Sequence, residues 1–191
     1  RRQRQMCIRD RYLLSLVNQL IDLRKIDTQN LTLNYSQFNF SKFLNTTITD
    51  FSNLMKERNI SFEKIYRLKS DHIYSDKENL HKILFNLLSN AIKHTPDKGK
   101  ITLHANQFID KSNKLMQFIS VTNSGSIIAP DEIDKIFNRF YRIPEQNKYT
   151  NYGQSSTGIG LHIVKELINL LDGTIKVKSS EKEGVSSVSY T

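Results

Sequence analysis

The chain has 191 residues, 38% of them hydrophobic and 25% charged, a balance that supports a folded core and excludes a disordered chain. Its one cysteine, Cys7, excludes an internal disulfide framework and a cysteine-based zinc site; no apolar run approaches the roughly 18 residues of a membrane span, and no signal peptide is legible. The formal charge of +9 is unevenly placed: residues 1–11, RRQRQMCIRDR, hold five Arg against Asp10, a net +4, which leaves +5 for everything that follows. This basic tail has no apolar period, differs from the Asn-, Lys- and Ile-rich remainder, and resembles a translated sequencing-adapter read, so it is set apart as a non-native candidate. With the charge concentrated there, no nucleic-acid partner is expected for the rest.

From Tyr12 to Asp27, YLLSLVNQLIDLRKID spaces Leu13, Leu16, Leu20 and Leu23 at three, four and three, a seam for packing against another helix. A helix so apolar wants a partner, which predicts half of a helical hairpin or a dimer. LTLNY (Leu31 to Tyr35) reads as a short strand, and Phe38 to Asn59 as mostly helix. ISFEKIY and HIY read as strands. Asp76 to Thr95 reads as a helix with Leu80, Ile83, Leu84, Leu87, Leu88 and Ala91 in one apolar arc, ended by Pro96 and Gly99. ITLHANQF and LMQFISVT alternate as an antiparallel hairpin turned by DKSN. DEIDKIF reads as a short helix, Gly158 to Leu171 as a longer one, and TIKVKS with VSSVSYT as closing strands that stop short of a full last strand. Helices interleaved with hairpin strands predict an α/β (α+β) fold, a two-layer sandwich of helices on a mixed, mainly antiparallel sheet.

Three polar groups stand out against this scaffold. Asn86, Asn90 and Lys93 cluster on a face of their helix away from the apolar arc. Asparagine is a poor helix former because its amide competes for backbone hydrogen bonds, so two of them four apart call for a reason. VTNSGS (Val121 to Ser126) is a strand stopping at a turn where backbone can come close to a ligand. In SSTGIGL (Ser155 to Leu161), two glycines lead into a helix, so that backbone N–H groups and the positive helix end can meet an anion.

In this order, NLLSNAIKHT (Asn86 to Thr95), NSG (Asn123 to Gly125), IFNRFYR (Ile136 to Arg142) and TGIGL (Thr157 to Leu161) resemble the N box, first glycine box, F box and second glycine box of the catalytic, ATP-binding domain of bacterial sensor histidine kinases in the GHKL superfamily. IFNRFYR and TGIGLHIVKEL resemble the histidine kinases in particular, LVNQLIDLRKID resembles the second helix of their phosphoacceptor hairpin, and the style is similar to hybrid two-component sensors of Bacteroidetes.

The resemblance implies the Bergerat ATP-binding fold in residues 39–191, truncated at its end, preceded by a partial dimerisation hairpin and linker in residues 12–38. It implies that Asn86 and Asn90 face ATP and hold Mg²⁺, a hard ion suited to oxygen donors, with Lys93 on phosphate. His94 lies either beside the phosphates or exposed at the helix end. Asn123 and Gly125 would meet adenine, and Thr157, Gly158, Ile159, Gly160 and Leu161 would form the second phosphate-side loop. Arg139 and Arg142 either approach phosphate or form a solvated rim, Phe137 and Phe140 are lid hinges or core, and the loop from Arg142 to Ser156 matches the ATP lid.

Two departures bear on the site: Asn123 replaces the family's Asp, keeping an acceptor without its charge, and Ile127 replaces the second glycine of that box. No His-Glu phosphoacceptor motif is present, since His72, His81, His94, His104 and His162 all fall in the region matching the catalytic domain, and no catalytic base is identifiable. The implied function is ATP- and Mg²⁺-dependent transfer of the γ-phosphoryl to a histidine absent from this chain, then to the aspartate of a receiver domain. The implied setting is a homodimer formed through the N-terminal helix, in the cytoplasmic portion of a membrane-anchored sensor. The alternative is a pseudokinase-like, nucleotide-dependent interaction module, for which Asn123 and Ile127 speak.

Overall fold

Apolar residues on every second position of ITLHANQFI can lie on one face only, and that face must be covered. A computed structural model describes residues 17–28, 31–111, 113–143, 157–180 and 184–190, the last four by backbone alone. In it, β4 (Lys100–Ile109) turns Ile101, Leu103 and Ala105 inward, each fully buried, and pairs antiparallel with β5 (Leu115–Asn123) in the register Leu103 to Val121. β2 (Ser61–Arg67) runs parallel to β4 on one side. On the other side of β5 lie β7 (Gly184–Tyr190) and β6 (Thr174–Ser180), both antiparallel neighbours, giving the order β2-β4-β5-β7-β6.

Two helices cover the inner face. α4 (Lys77–His94) contributes Leu80, Ile83, Leu84, Leu87, Leu88 and Ala91, and α5 (Gly160–Leu170) contributes Ile163, Val164, Leu167 and Ile168. Each such side chain stabilises the fold by about 1.5–3 kcal/mol on burial, so the apolar arc of α4 fixes which way Asn86 and Asn90 must face. The Asp76 side chain caps α4: Oδ1 accepts from Asn79 N at 2.8 Å and Oδ2 from Asn34 N at 2.7 Å. Thr95, before Pro96, is extended and ends the helix.

The predicted two-layer arrangement is present, with corrections at three places. The first strand is not 31–35 but β1 (Tyr35–Asn39), because Phe38 pairs with Ile73 of β3 (His72–Asp76) in a separate two-stranded antiparallel sheet. The predicted helix from Phe38 is two helices, α2 (Phe40–Thr49) and α3 (Ser52–Glu57), since Asn39 leaves the strand to cap α2, its Oδ1 accepting from Lys42 N at 2.8 Å. DEIDKIF is not an α-helix but two 3₁₀ turns, Pro130–Glu132 and Lys135–Phe137, which suits a segment too short to offset helix nucleation.

α1 (residues 17–27) packs back on this body. Leu23 is buried, whereas Val17, Leu20 and Ile21 stay about half exposed. The predicted leucine seam therefore divides, with Leu23 buried and Leu20 exposed. Leu13, Leu16, the 1–11 tail and positions 144–156 of the predicted lid lie outside the described residues.

Candidate nucleotide site

α4 presents Asn86, Asn90, Lys93 and His94 on the side left free by its apolar arc, all partly buried. Asn86 Nδ2 donates to Lys82 O at 2.8 Å, which fixes the amide and turns Oδ1 toward Gly160. Asn90 has no hydrogen-bond partner among the described residues. Burial, then the nearby Arg142 charge, pushes the Lys93 ammonium down to about 8, and burial, then Lys93, pushes His94 down to about 4. His94 is thus a half-buried neutral imidazole, and not the exposed residue of the rival expectation.

Glycine brings the other two motifs against this helix. At Gly160 a Cβ would lie 2.8 Å from Asn86 Oδ1, so the Gly-x-Gly turn and the N-box asparagine occupy adjoining space. Gly158 has φ +70°, and a Cβ there would meet the Phe140 backbone at 2.6 Å, while Phe140 N donates to Gly158 O at 2.9 Å. Thr157 Oγ1 accepts from Ile159 N at 3.2 Å, and Leu161 fills the space between the two apolar clusters.

At the other end, Gly125 has φ +89° and a Cβ there would lie 2.4 Å from Pro96 Cδ, which seats the Asn-Ser-Gly turn on the end of α4. Asn123 is buried; its Nδ2 donates to Ser126 Oγ at 2.9 Å, leaving Oδ1 to accept from a ligand. Ile127 is 53% exposed beside that turn. Two of the sequence motifs therefore reach α4 or its end directly, Gly160 at Asn86 and Gly125 at Pro96 just past the helix, while Gly158 packs on the Phe140 backbone.

The F-box residues divide. Phe137 is buried with Ile136, Val177 and Val185, a core residue, and Phe140 is 62% exposed. Arg142 acts on Lys93, but Arg139 is engaged elsewhere: its Nε donates to His162 Nε2 at 2.8 Å and its Nη1 to Asp27 Oδ2 at 3.0 Å, with Nη2 on Asp27 Oδ1. His162 Nδ1 lies 3.1 Å from Phe137 O, so the ring donates there and accepts from Arg139. Two further contacts tie α1 to the same side: Gln19 Oε1 accepts from Thr157 Oγ1 at 2.9 Å, and Asp22 Oδ1 pairs with Lys82 Nζ at 2.9 Å.

Sequence reasoning missed these α1 contacts and also Arg58. Arg58 is 5% exposed and clamps the end of α4, donating to Ile92 O at 2.6 Å, Thr95 O at 2.5 Å and Asp97 Oδ1 at 2.8 Å. The buried arginine thereby adds a donor to Ile92 O, which among the described residues otherwise has only the long 3.4 Å bond from Thr95 N, and pairs with Thr95 O beyond the helix end.

Residues 75–190 match the family of histidine kinase-, DNA gyrase B- and HSP90-like ATPases. The chain belongs to that family. As a member of these ATPases it is a nucleotide-binding domain, and among curated proteins it is 35% identical over 176 residues to histidine kinase P4 of Formosa agariphila, spanning 91% of this chain but only 12% of that protein. Two solved structures share its fold. Full-length ShkA in complex with AMPPNP gives a TM-score of 0.79 at 24% identity, over 94% of this chain and 35% of that one. Histidine kinase ThkA in complex with response regulator protein TrrA gives 0.67 at 23% identity, over 94% of this chain and 49% of that one. Among the described residues, no helix is long and apolar enough to cross a membrane, and no group of three or more His, Cys, Asp or Glu side chains could hold a metal ion.

Proposed function

We propose that this chain is the ATP-binding catalytic part of a two-component sensor histidine kinase, passing the ATP γ-phosphoryl to a histidine outside its own residues. The observation that carries the reading is the meeting of Asn86 with Gly160, beside an Asn90 side chain without a hydrogen-bond partner among the described residues and a partly buried Lys93. Asn90 and Asn86 present neutral amide oxygens, the donor type Mg²⁺ takes when phosphate supplies the remaining charge. A Mg²⁺ held by these amides would supply charge to offset that of phosphate. Lys93 and Arg142 add positive charge on the same side, and the Gly158 to Leu161 turn offers backbone N–H groups at the start of α5. Asn123 Oδ1 accepts from the base, and Gly125 lets the turn approach it. Such a site acts by positioning and charge neutralisation, since phosphoryl transfer asks little covalent chemistry of the protein.

In this reading, residues 12–38 are the second helix of the dimerisation and phosphoacceptor hairpin with its linker, residues 39–191 are the ATPase domain, and residues 1–11 are an appended tail. The partners are the chain's own phosphoacceptor helix, a receiver domain and a second copy meeting through the N-terminal helix, whose Val17, Leu20 and Ile21 are exposed. The setting is the cytoplasmic portion of a membrane-anchored bacterial sensor. The test is calorimetric titration of ATP with and without Mg²⁺, followed by transfer from labelled ATP to a separately supplied phosphoacceptor hairpin. Mg²⁺-dependent binding with label on the hairpin histidine, and none on the chain alone, is expected; binding without transfer to any supplied hairpin would leave a nucleotide-dependent interaction module.

A further inference from the structure

A cavity of about 590 Å³ opens between β1, α2 and the first turns of α4, and none of the nucleotide motifs reaches it. His81, on its wall, precedes Asn90 by nine residues, about 13 Å along the helix. Its floor is aromatic: Phe38 and Phe43 have ring centroids 5.3 Å apart, and the His81 ring meets Phe43 edge-on at 6.4 Å. Its rim is cationic. Lys42 and Lys77 both line it, neither forms an ion pair among the described residues, and Lys77 Nζ leans over the Phe38 ring at 5.9 Å.

Two carboxylates, Asp76 and Glu78, also line the cavity, but neither pairs with those lysines. Asp76 is buried and held by the Asn34 and Asn79 backbone N–H groups and by Asn79 Nδ2, and Glu78 Oε1 lies 3.3 Å from Lys82 Nζ. Two ammonium groups without a carboxylate partner among the described residues, Lys77 over the Phe38 ring and Lys42 on the same cavity, complement a flat apolar body carrying one negative charge. The volume lies within the roughly 300–1,000 Å³ of small-molecule sites, and ammonium point charges, unlike an arginine fork, set no bidentate geometry. Aromatic rings favour offset or edge contacts at about 4.5–7 Å, the spacing this floor already holds.

We propose that this cavity binds a small aromatic carboxylate, with its ring against Phe38 and Phe43 and its carboxylate between Lys42 and Lys77. The proposal does not rest on the nucleotide reading, since its residues and its readout are separate from that site. The probe is 1-naphthoate, with neutral 1-naphthamide as its isostere, titrated into the full chain and followed by two-dimensional amide NMR. Shifts are expected to concentrate in residues 36–47 and 76–81, with naphthoate binding tighter than the amide. Lys42→Gln and Lys77→Gln, both exposed and outside the packed core, should each weaken naphthoate by about two- to fivefold, the range expected for a solvent-reached ion pair. Neither should alter naphthamide binding. Shifts centred on Asn86 to His94 and Gly158 to Leu161 would overturn the proposal, as would equal affinity for the two probes, indifference to both lysine substitutions, or no shift at millimolar naphthoate.

Discussion

Gly160→Ala separates the site from the scaffold, because the two should respond with different magnitude. Gly160 is the first residue of α5 and does not have a positive φ, so alanine fits its backbone; alanine favours helix by up to about 1 kcal/mol over glycine, and less at a helix end. The new Cβ would stand 2.8 Å from Asn86 Oδ1, too close for carbon against oxygen, and the amide must turn away. Turning it breaks the bond from Nδ2 to Lys82 O, a net loss of about 0.5–1.5 kcal/mol. Stability should therefore move by no more than about 1 kcal/mol in either direction, as the helix gain and the lost bond offset each other. Binding has no such compensation. Asn86 Oδ1 would no longer face the nucleotide, and a hydrogen bond or ligand contact to a charged group contributes about 1.5–3 kcal/mol, so ATP affinity should fall by at least about tenfold. Calorimetric titration of ATP with Mg²⁺, beside thermal unfolding without nucleotide, measures both. If the effect travels through Asn86, then Gly160→Ala should cost little further affinity in an Asn86→Ala background. Unchanged affinity in the single variant, or full additivity in the double one, would refute the reasoning.

Asn90→Ala should lower Mg²⁺-dependent ATP affinity more than Asn86→Ala does, since Asn90 has no other partner, and equal titrations of wild type and Asn90→Ala at saturating Mg²⁺ would count against it. Lys93 has a folded value of about 8 against an ordinary 10.5, so the unfolded chain holds more protons between these values and stability without nucleotide rises with pH across that window. Phosphate reverses the preference by recharging Lys93, so ATP binding should take up a proton near pH 8–9 and weaken as pH rises further, as titrations in buffers of different ionisation enthalpy would show. His94, at about 4 against an ordinary 6.5, makes stability fall as pH drops through that window; urea midpoints of wild type should approach those of His94→Gln at neutral pH and diverge in acid. Asp27→Asn releases Arg139 from an exposed ion pair, so ATP affinity should rise by no more than about fivefold and the difference should vanish in high salt.

The face of α4 that carries Asn86, Asn90 and Lys93 was legible in the sequence because it follows from periodicity. Once Leu80, Ile83, Leu84, Leu87 and Leu88 claim one side of α4, Asn86, Asn90 and Lys93 have only the other side to occupy. Gly125 and Gly158 were legible as well, since both have positive φ, where a side chain is strained. The unread parts depend on distant pairing. Phe38 belongs to a strand only because Ile73 lies opposite, and Arg58, in the polar run LMKERN, gives no local sign that it will be buried beneath the end of α4. Gln19, Asp22 and Asp27 read as the solvated face of a leucine-seamed helix, and their partners Thr157, Lys82 and Arg139 are 60 or more residues away.

Those long-range contacts bear on how the domain can work. Arg139 and Thr157 belong to the F box and second glycine box, yet both meet polar side chains of α1, and Lys82, whose carbonyl holds Asn86, meets a third. A single helix therefore touches three of the elements around the α4 polar face through side chains, and of its seam leucines among the described residues Leu23 is buried and Leu20 is not. Polar, partly exposed contacts of this kind are individually weak and readily exchanged for phosphate or solvent. An apolar interface of the same extent would hold α1 more firmly than these few polar contacts do.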